Sequence, residues 1–137
     1  MNKIALDTNI LIYSHDESAV DKQSIARDLI IKSPFVCTQV MSEYISVLKR
    51  ILNIPKTMVI HACMPNLKRC QIKAVDIVTL QTAERLIHRY DFQLFDAIIV
   101  ASVLETGCQI LYTEDMQHNM KIDRQLSIIN PFLNKVF

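Results

Sequence analysis

The 137-residue sequence predicts an α/β fold: a three-layer α/β/α sandwich whose central sheet is mainly parallel and has four to five strands. Three observations carry that prediction. Short runs of strand-forming residues alternate with longer segments of helical periodicity, as in successive strand–helix–strand units with right-handed crossovers. One helical segment, 96–105, is apolar on most of its circumference, as a helix buried against a sheet is. Half of the residues are hydrophobic, enough for one domain over 1–137 to bury a sizeable core without disulfides.

The first strand is Ile4-Ala5-Leu6. Asp7, Thr8 and Asn9 stop it, all three favour helix N-caps, and residues 10–14 read as one or two helical turns. Residues 21–31 set Ile25, Ala26, Leu29 and Ile30 at spacings of three to four with Lys22, Arg27 and Asp28 opposite, an amphipathic helix ended by Pro34. Phe35-Val36-Cys37-Thr38 is the second strand, with Thr38 placed to cap the next helix. Over 39–52, Val40, Tyr44, Val47, Leu48 and Ile51 make one stripe, and Glu43 lies roughly 40° outside its edge. Pro55 suits the first position of a further helix running to about Cys63 or beyond, with Pro65 leaving its end open.

Residues 72–77 are rich in β-branched side chains and form the third strand, with Thr79 as cap of a helix carrying Leu80, Ala83, Leu86, Ile87 and Tyr90. A buried helix starts at Asp96 and is closed by Gly107, the one glycine of the chain, in the left-handed conformation. Gln109-Ile110-Leu111-Tyr112-Thr113 is the fourth strand, followed at once by Glu114 and Asp115. Residues 116–123 read as loop, and Leu126-Ser127-Ile128-Ile129 as an edge strand before Pro131.

Composition removes several function classes. A formal net charge of +1 is too small to attract a polyanion through bulk electrostatics, so a nucleic acid has to be held by a local patch or through a cation. Phosphate-cradling and dinucleotide-binding loops need several glycines, and neither a Gly-x-Ser-x-Gly elbow nor a His-Glu-x-x-His pair is present. Cys37, Cys63, Cys70 and Cys108 show no paired spacing and are expected as reduced thiols. His15, His61, His88 and His118 lie singly, and none is assigned to catalysis. The first apolar run is too short for a signal peptide and no run reaches membrane-spanning length, so a cytoplasmic protein is expected.

The carboxylates remain. Asp7 and Asp115 each follow a strand, so both belong at the carboxyl edge of a parallel sheet, where this fold class binds ligands. Glu43 sits early in the helix leaving the second strand, and Asp96 starts a helix antiparallel to the strands, so both begin at the same edge. Each has a local alternative: Asp7 and Asp96 as N-caps, Glu43 as a solvated acid, Asp115 as a turn residue. Four carboxylates on one rim raise one another's pKa, a cost that a cation offsets. With oxygen ligands only, the hard ions magnesium and manganese fit, and such an ion can acidify a water and polarise a phosphoryl oxygen for phosphodiester hydrolysis.

Four stretches resemble the successive motifs of PIN-domain nucleases: Leu6-Asp7-Thr8-Asn9, Glu43 within its helix, Phe95-Asp96-Ala97-Ile98-Ile99-Val100-Ala101, and Leu111-Tyr112-Thr113-Glu114-Asp115. The similarity spans nearly the whole chain, and the length is that of the stand-alone VapC-type toxins of type II toxin-antitoxin pairs. The resemblance implies a Mg2+- or Mn2+-dependent ribonuclease in which Asp7, Glu43, Asp96 and Asp115 hold the metal and its water. It also implies that Asn9 and Thr113, and less strongly Thr8, orient carboxylates, and that the protein is a homodimer whose antitoxin occupies the acidic site. One departure from the family pattern is His118-Asn119-Met120, where many relatives carry a glycine in the loop after the fourth acid. Lys49, Arg50, Lys56, Lys68, Arg69 and Lys73 are candidates for an RNA path, with a solvated charged surface as the alternative for each.

Two other classes compete. A non-catalytic module could keep the acidic pocket for metal, RNA or partner binding, although such a module could lose one acid of the set. A receiver-type phosphorylation domain is also parallel α/β, but here Asp7 is single and no lysine follows Thr113 before Lys121.

Overall fold

The computed structural model describes residues 2–133. Its order is β1 (Ile4–Leu6), α1 (Thr8–Tyr13), α2 (Val20–Ile30), β2 (Phe35–Cys37), α3 (Thr38–Leu52), α4 (Lys56–Leu67), β3 (Gln71–Lys73), α5 (Ile77–Tyr90), α6 (Leu94–Glu105), β4 (Ile110–Tyr112), β5 (Lys121–Ile122) and β6 (Leu126–Ile129). The six strands form one sheet in the order β3-β2-β1-β4-β6-β5, parallel throughout except for β5, which runs antiparallel to β6. The chain winds outward from β1 through β2 to β3, then crosses back to place β4 on the other side of β1. The strand order therefore reverses at β1, and the crevice beyond the carboxyl ends of β1 and β4 is the switch point where such sheets bind ligands.

The sheet is central and helices flank it in a three-layer sandwich. Ala5, Leu6, Val36, Leu111 and Ile128 from the strands meet Ile10, Leu11, Val40, Tyr44 and Leu48 from α1 and α3 and the run Ala97–Val103 of α6 in one apolar core. α6 is the most thoroughly buried helix, as its all-round apolar sequence requires, and α5 packs against it. Gly107 lies just past the end of α6 at φ +76°, the left-handed residue expected there. All four cysteines are free, and no helix among the described residues is long and apolar enough to cross a membrane.

Several local expectations change. Residues 72–77 do not form one strand: β3 ends at Lys73, and Asp76 rather than Thr79 caps α5. The two make a capping box, in which Asp76 Oδ1 accepts from the Thr79 amide at 3.0 Å and Thr79 Oγ1 accepts from the Asp76 amide at 3.2 Å. Thr38 opens α3 instead of capping it, and its hydroxyl accepts from the Val75 amide at 3.0 Å. Pro55 is the N-cap of α4 rather than its first residue; α4 ends at Leu67, beyond Cys63 as the sequence allowed, with Pro65 in its final turn. Residues 116–123 contain β5, which makes β6 an interior strand of the sheet rather than an edge.

Candidate active site

A cavity of about 390 Å³ opens at the carboxyl ends of β1 and β4, and Asp7, Glu43, Asp96 and Asp115 all line it. Each acid arrives on a different element. Asp7 is the single residue between β1 and α1, Glu43 is in the second turn of α3, Asp96 is the third residue of α6, and Asp115 follows β4. The four positions on one rim meet because the parallel register aligns Leu6 with Tyr112, bringing the ends of β1 and β4 level.

Asp7 caps α1 and lines the cavity as well. Its Oδ1 accepts from the Thr8 amide at 2.7 Å, which caps α1, while Oδ2 accepts from the Thr113 hydroxyl at 2.7 Å. The residue is only 4% exposed. Burial pushes its pKa from the ordinary 3.8 up to about 6; the bonds from Thr113 and Thr8 pull the other way, and the charges of Asp115 and Asp96 add to the rise. Asp96 is not the cap of α6, which begins at Leu94, so its carboxylate is not committed to a helix end. Burial and then the charges of Asp115 and Glu43 raise its pKa as well.

The supporting residues are those the resemblance implied, with additions. Asn9 ties the end of β4 to α1: its Nδ2 donates to Asp115 Oδ2 at 3.0 Å and to Thr113 Oγ1 at 3.3 Å, and its Oδ1 accepts from the Glu114 amide at 3.2 Å. Thr113 is fully buried and its hydroxyl also accepts from the Asp115 amide at 3.1 Å, so one oxygen fixes both Asp7 and Asp115. Thr8 donates to Glu43 Oε2 at 3.0 Å, a fuller part than its sequence position promised.

Two residues were missed. Gln39 donates to Glu43 Oε1 at 3.0 Å, and its place one turn before Glu43 on the same face was a usable signal. Glu114 accepts from Tyr13 Oη and Lys22 Nζ, each at 2.6 Å, on the wall of the same cavity. Burial raises the Glu114 pKa, but those two bonds outweigh it and the carboxyl lies below its ordinary range. No local pattern links residues 13, 22 and 114.

None of Lys49, Arg50, Lys56, Lys68, Arg69 and Lys73 lines the cavity. The first five are exposed at the ends of α3 and α4, and Lys73 pairs with Glu105 at 3.5 Å. In the loop after Asp115, Asn119 takes the left-handed conformation at φ +68°, which asparagine tolerates better than most residues. Its amide donates to Ile128 O at 2.7 Å, and His118 Nδ1 accepts from the Asn130 amide at 2.9 Å. The loop thus makes its glycine-type turn without glycine.

No group of three or more His, Cys, Asp or Glu side chains among the described residues stands at metal-ligand spacing. The donor set is all oxygen, which fits a hard divalent cation that keeps several waters. Asp7, Asp96, Asp115 and Glu43 are the residues able to hold it.

A family model described as PIN domain matches residues 4–121. A toxin-antitoxin complex from Klebsiella pneumoniae shares the fold at TM-score 0.67 and 18% identity, covering 95% of this chain and 98% of that one. VapC20 of Mycobacterium tuberculosis, a sarcin-ricin loop cleaving toxin, shares it at TM-score 0.64 and 18% identity, over 82% of this chain and 90% of its own. No curated protein matches the sequence. The family match runs from β1 into β5 and contains all four rim acids, and on that match the chain belongs to the PIN-domain family.

Proposed function

We propose that the chain, as one domain over residues 1–137, is a Mg2+- or Mn2+-dependent endoribonuclease that hydrolyses RNA phosphodiester bonds. We further propose that it is the toxin of a toxin-antitoxin pair, cytoplasmic and homodimeric, with an antitoxin as its protein partner. The observation that carries the reading is the convergence of four carboxylates, from four elements, on one cavity at the switch point of the sheet. The shared fold with a toxin-antitoxin complex and with an RNA-cleaving toxin supports it.

When bound, the divalent ion supplies an acidified water and polarises a phosphoryl oxygen. The chain's own residues set up the rest. Thr113 and the Thr8 amide fix both oxygens of Asp7, and Asn9 fixes one oxygen of Asp115. Thr8 and Gln39 hold the two oxygens of Glu43. Burial raises the pKa of both Asp7 and Asp96, a cost of holding their charge that a bound cation would offset.

The test is cleavage of a mixed RNA pool by purified protein with Mg2+ or Mn2+, beside an excess-chelator control and the Asp96→Asn variant. Cleavage is expected to vanish with chelator and to fall by about 100-fold or more in the variant, which should keep the wild-type circular dichroism. A folded Asp96→Asn protein that cuts as fast as wild type sinks the assignment. The second reading is a non-catalytic PIN-fold module that keeps the acidic cavity for binding metal, RNA or a partner. Metal and RNA binding without cleavage of any RNA would select it.

A further inference from the structure

A second, smaller cavity of about 220 Å³ adjoins the acidic one, and Asp96 lines both. One wall is the connector from α5 to α6, with Tyr90, Phe92 and Gln93; the other is the loop leaving β4, with Met116, Gln117 and Met120. Asp123, in the turn after β5, holds Tyr90 of the first wall in place. Its amide donates to Tyr90 Oη at 2.9 Å, its Oδ1 accepts from that hydroxyl at 3.2 Å, and Arg85 donates to its two carboxylate oxygens at 3.3 and 2.7 Å. Asp123 and Arg124, at φ +50° and +57°, begin the three-residue connection 123–125 between β5 and β6. One wall of the cavity is thus fixed by hydrogen bonds.

We propose that this cavity is a subsite for one unstacked nucleobase of a single-stranded RNA, next to the phosphate that is cut, read by the side-chain amides of Gln93 and Gln117. The subsite rests on the ribonuclease reading above. Its volume is below the ~300 Å³ at which drug-sized pockets begin, room for a single ring system and not for a folded ligand. Asp91 on its lining repels phosphate, which leaves the uncharged base as the part of a nucleotide that enters. The rings of Tyr90 and Phe92 and the adaptable thioethers of Met116 and Met120 supply flat and apolar contact. The Gln93 and Gln117 amides have no hydrogen-bond partner among the described residues, and each offers a donor and an acceptor to a base edge. Asp96 at the shared boundary sets that base beside the acidic cavity.

The test sequences the ends produced from a randomised RNA pool by wild type, Gln93→Leu and Gln117→Leu. Both glutamines are exposed, so the variants fold. Wild type should show a base preference at one position adjoining the cut, and at least one variant should flatten it about tenfold, the scale of one base-edge contact, while preferences elsewhere persist. No preference at any adjoining position, or one unchanged in both variants, overturns the subsite. If wild type cuts no RNA, the ribonuclease reading falls and binding decides the subsite alone. Protein labelled with 13C at its methionine methyls is then titrated with short single-stranded oligoribonucleotides of each base. Base-dependent shifts at Met116 and Met120 uphold the subsite, whereas shifts absent there, or confined to Met58 and Met64 on α4, overturn it.

Discussion

Asp7 is an acid whose ionisation works against the fold, and the effect is measurable. Its pKa is raised from 3.8 to about 6 by burial, so between those values the folded chain holds a proton that the unfolded chain has lost. Stability falls with pH wherever the folded state binds more protons, so Asp7 contributes fully below pH ~3.8 and the contribution is gone above ~6. The shift is worth about 3 kcal/mol in all, and about 2 kcal/mol of it falls between roughly pH 4.5 and 7.5. Urea denaturation of wild type and Asp7→Asn across that window, with chelator present, isolates the term. The constant cost of a poorer hydrogen bond to Thr113 cancels from the pH trend, as do the carboxylates that do not interact with Asp7; Asp115 and Asp96, which do, shift with it. The stability of the variant relative to wild type should rise by about 2 kcal/mol from pH 4.5 to 7.5. Added Mg2+ should stabilise wild type more at the upper end of the range and the variant little, since a ligand that binds only the folded state adds stability by mass action. A difference between the two proteins that stays flat with pH would refute the burial argument.

Other perturbations separate support from chemistry. Asn9→Ala removes the bonds to Thr113, Asp115 and the Glu114 amide, and should cost about 1–3 kcal/mol in denaturation while lowering RNA cleavage by about 10- to 100-fold; full activity would show that Asp115 needs no such tie. Gly107→Ala should lose about 1–2 kcal/mol for its left-handed backbone alone, because the new Cβ meets nothing nearer than Lys3 Nζ at 4.0 Å, and Gly107→Asn should lose less. An equal loss for both in thermal melts would contradict a purely conformational cost. Leu111→Ala, in a fully buried position of β4, should lower stability by about 2–5 kcal/mol, read from the urea midpoint.

The sequence by itself determined what depends on neighbours along the chain. The runs that became β1, β2 and β4, the stripe of α3, the buried circumference of α6 and the left-handed Gly107 are set by side-chain period and backbone sterics within a few residues. The four acids were legible for the same reason, since an acid directly after a parallel strand, or early in a helix antiparallel to it, can lie at only one edge of the sheet. Elements of two residues carry no period, so β5 was invisible, and with it the interior position of β6. The β-branched run 72–77 hid the cap at Asp76, which became available only because β3 stops pairing with β2 at Lys73. The raised pKa of Asp7, the ties from Glu114 to Tyr13 and Lys22, and the cavity shared at Asp96 belong to the tertiary structure alone. Each depends on groups brought together from distant parts of the chain, and burial and hydrogen bonding act through space rather than along the sequence.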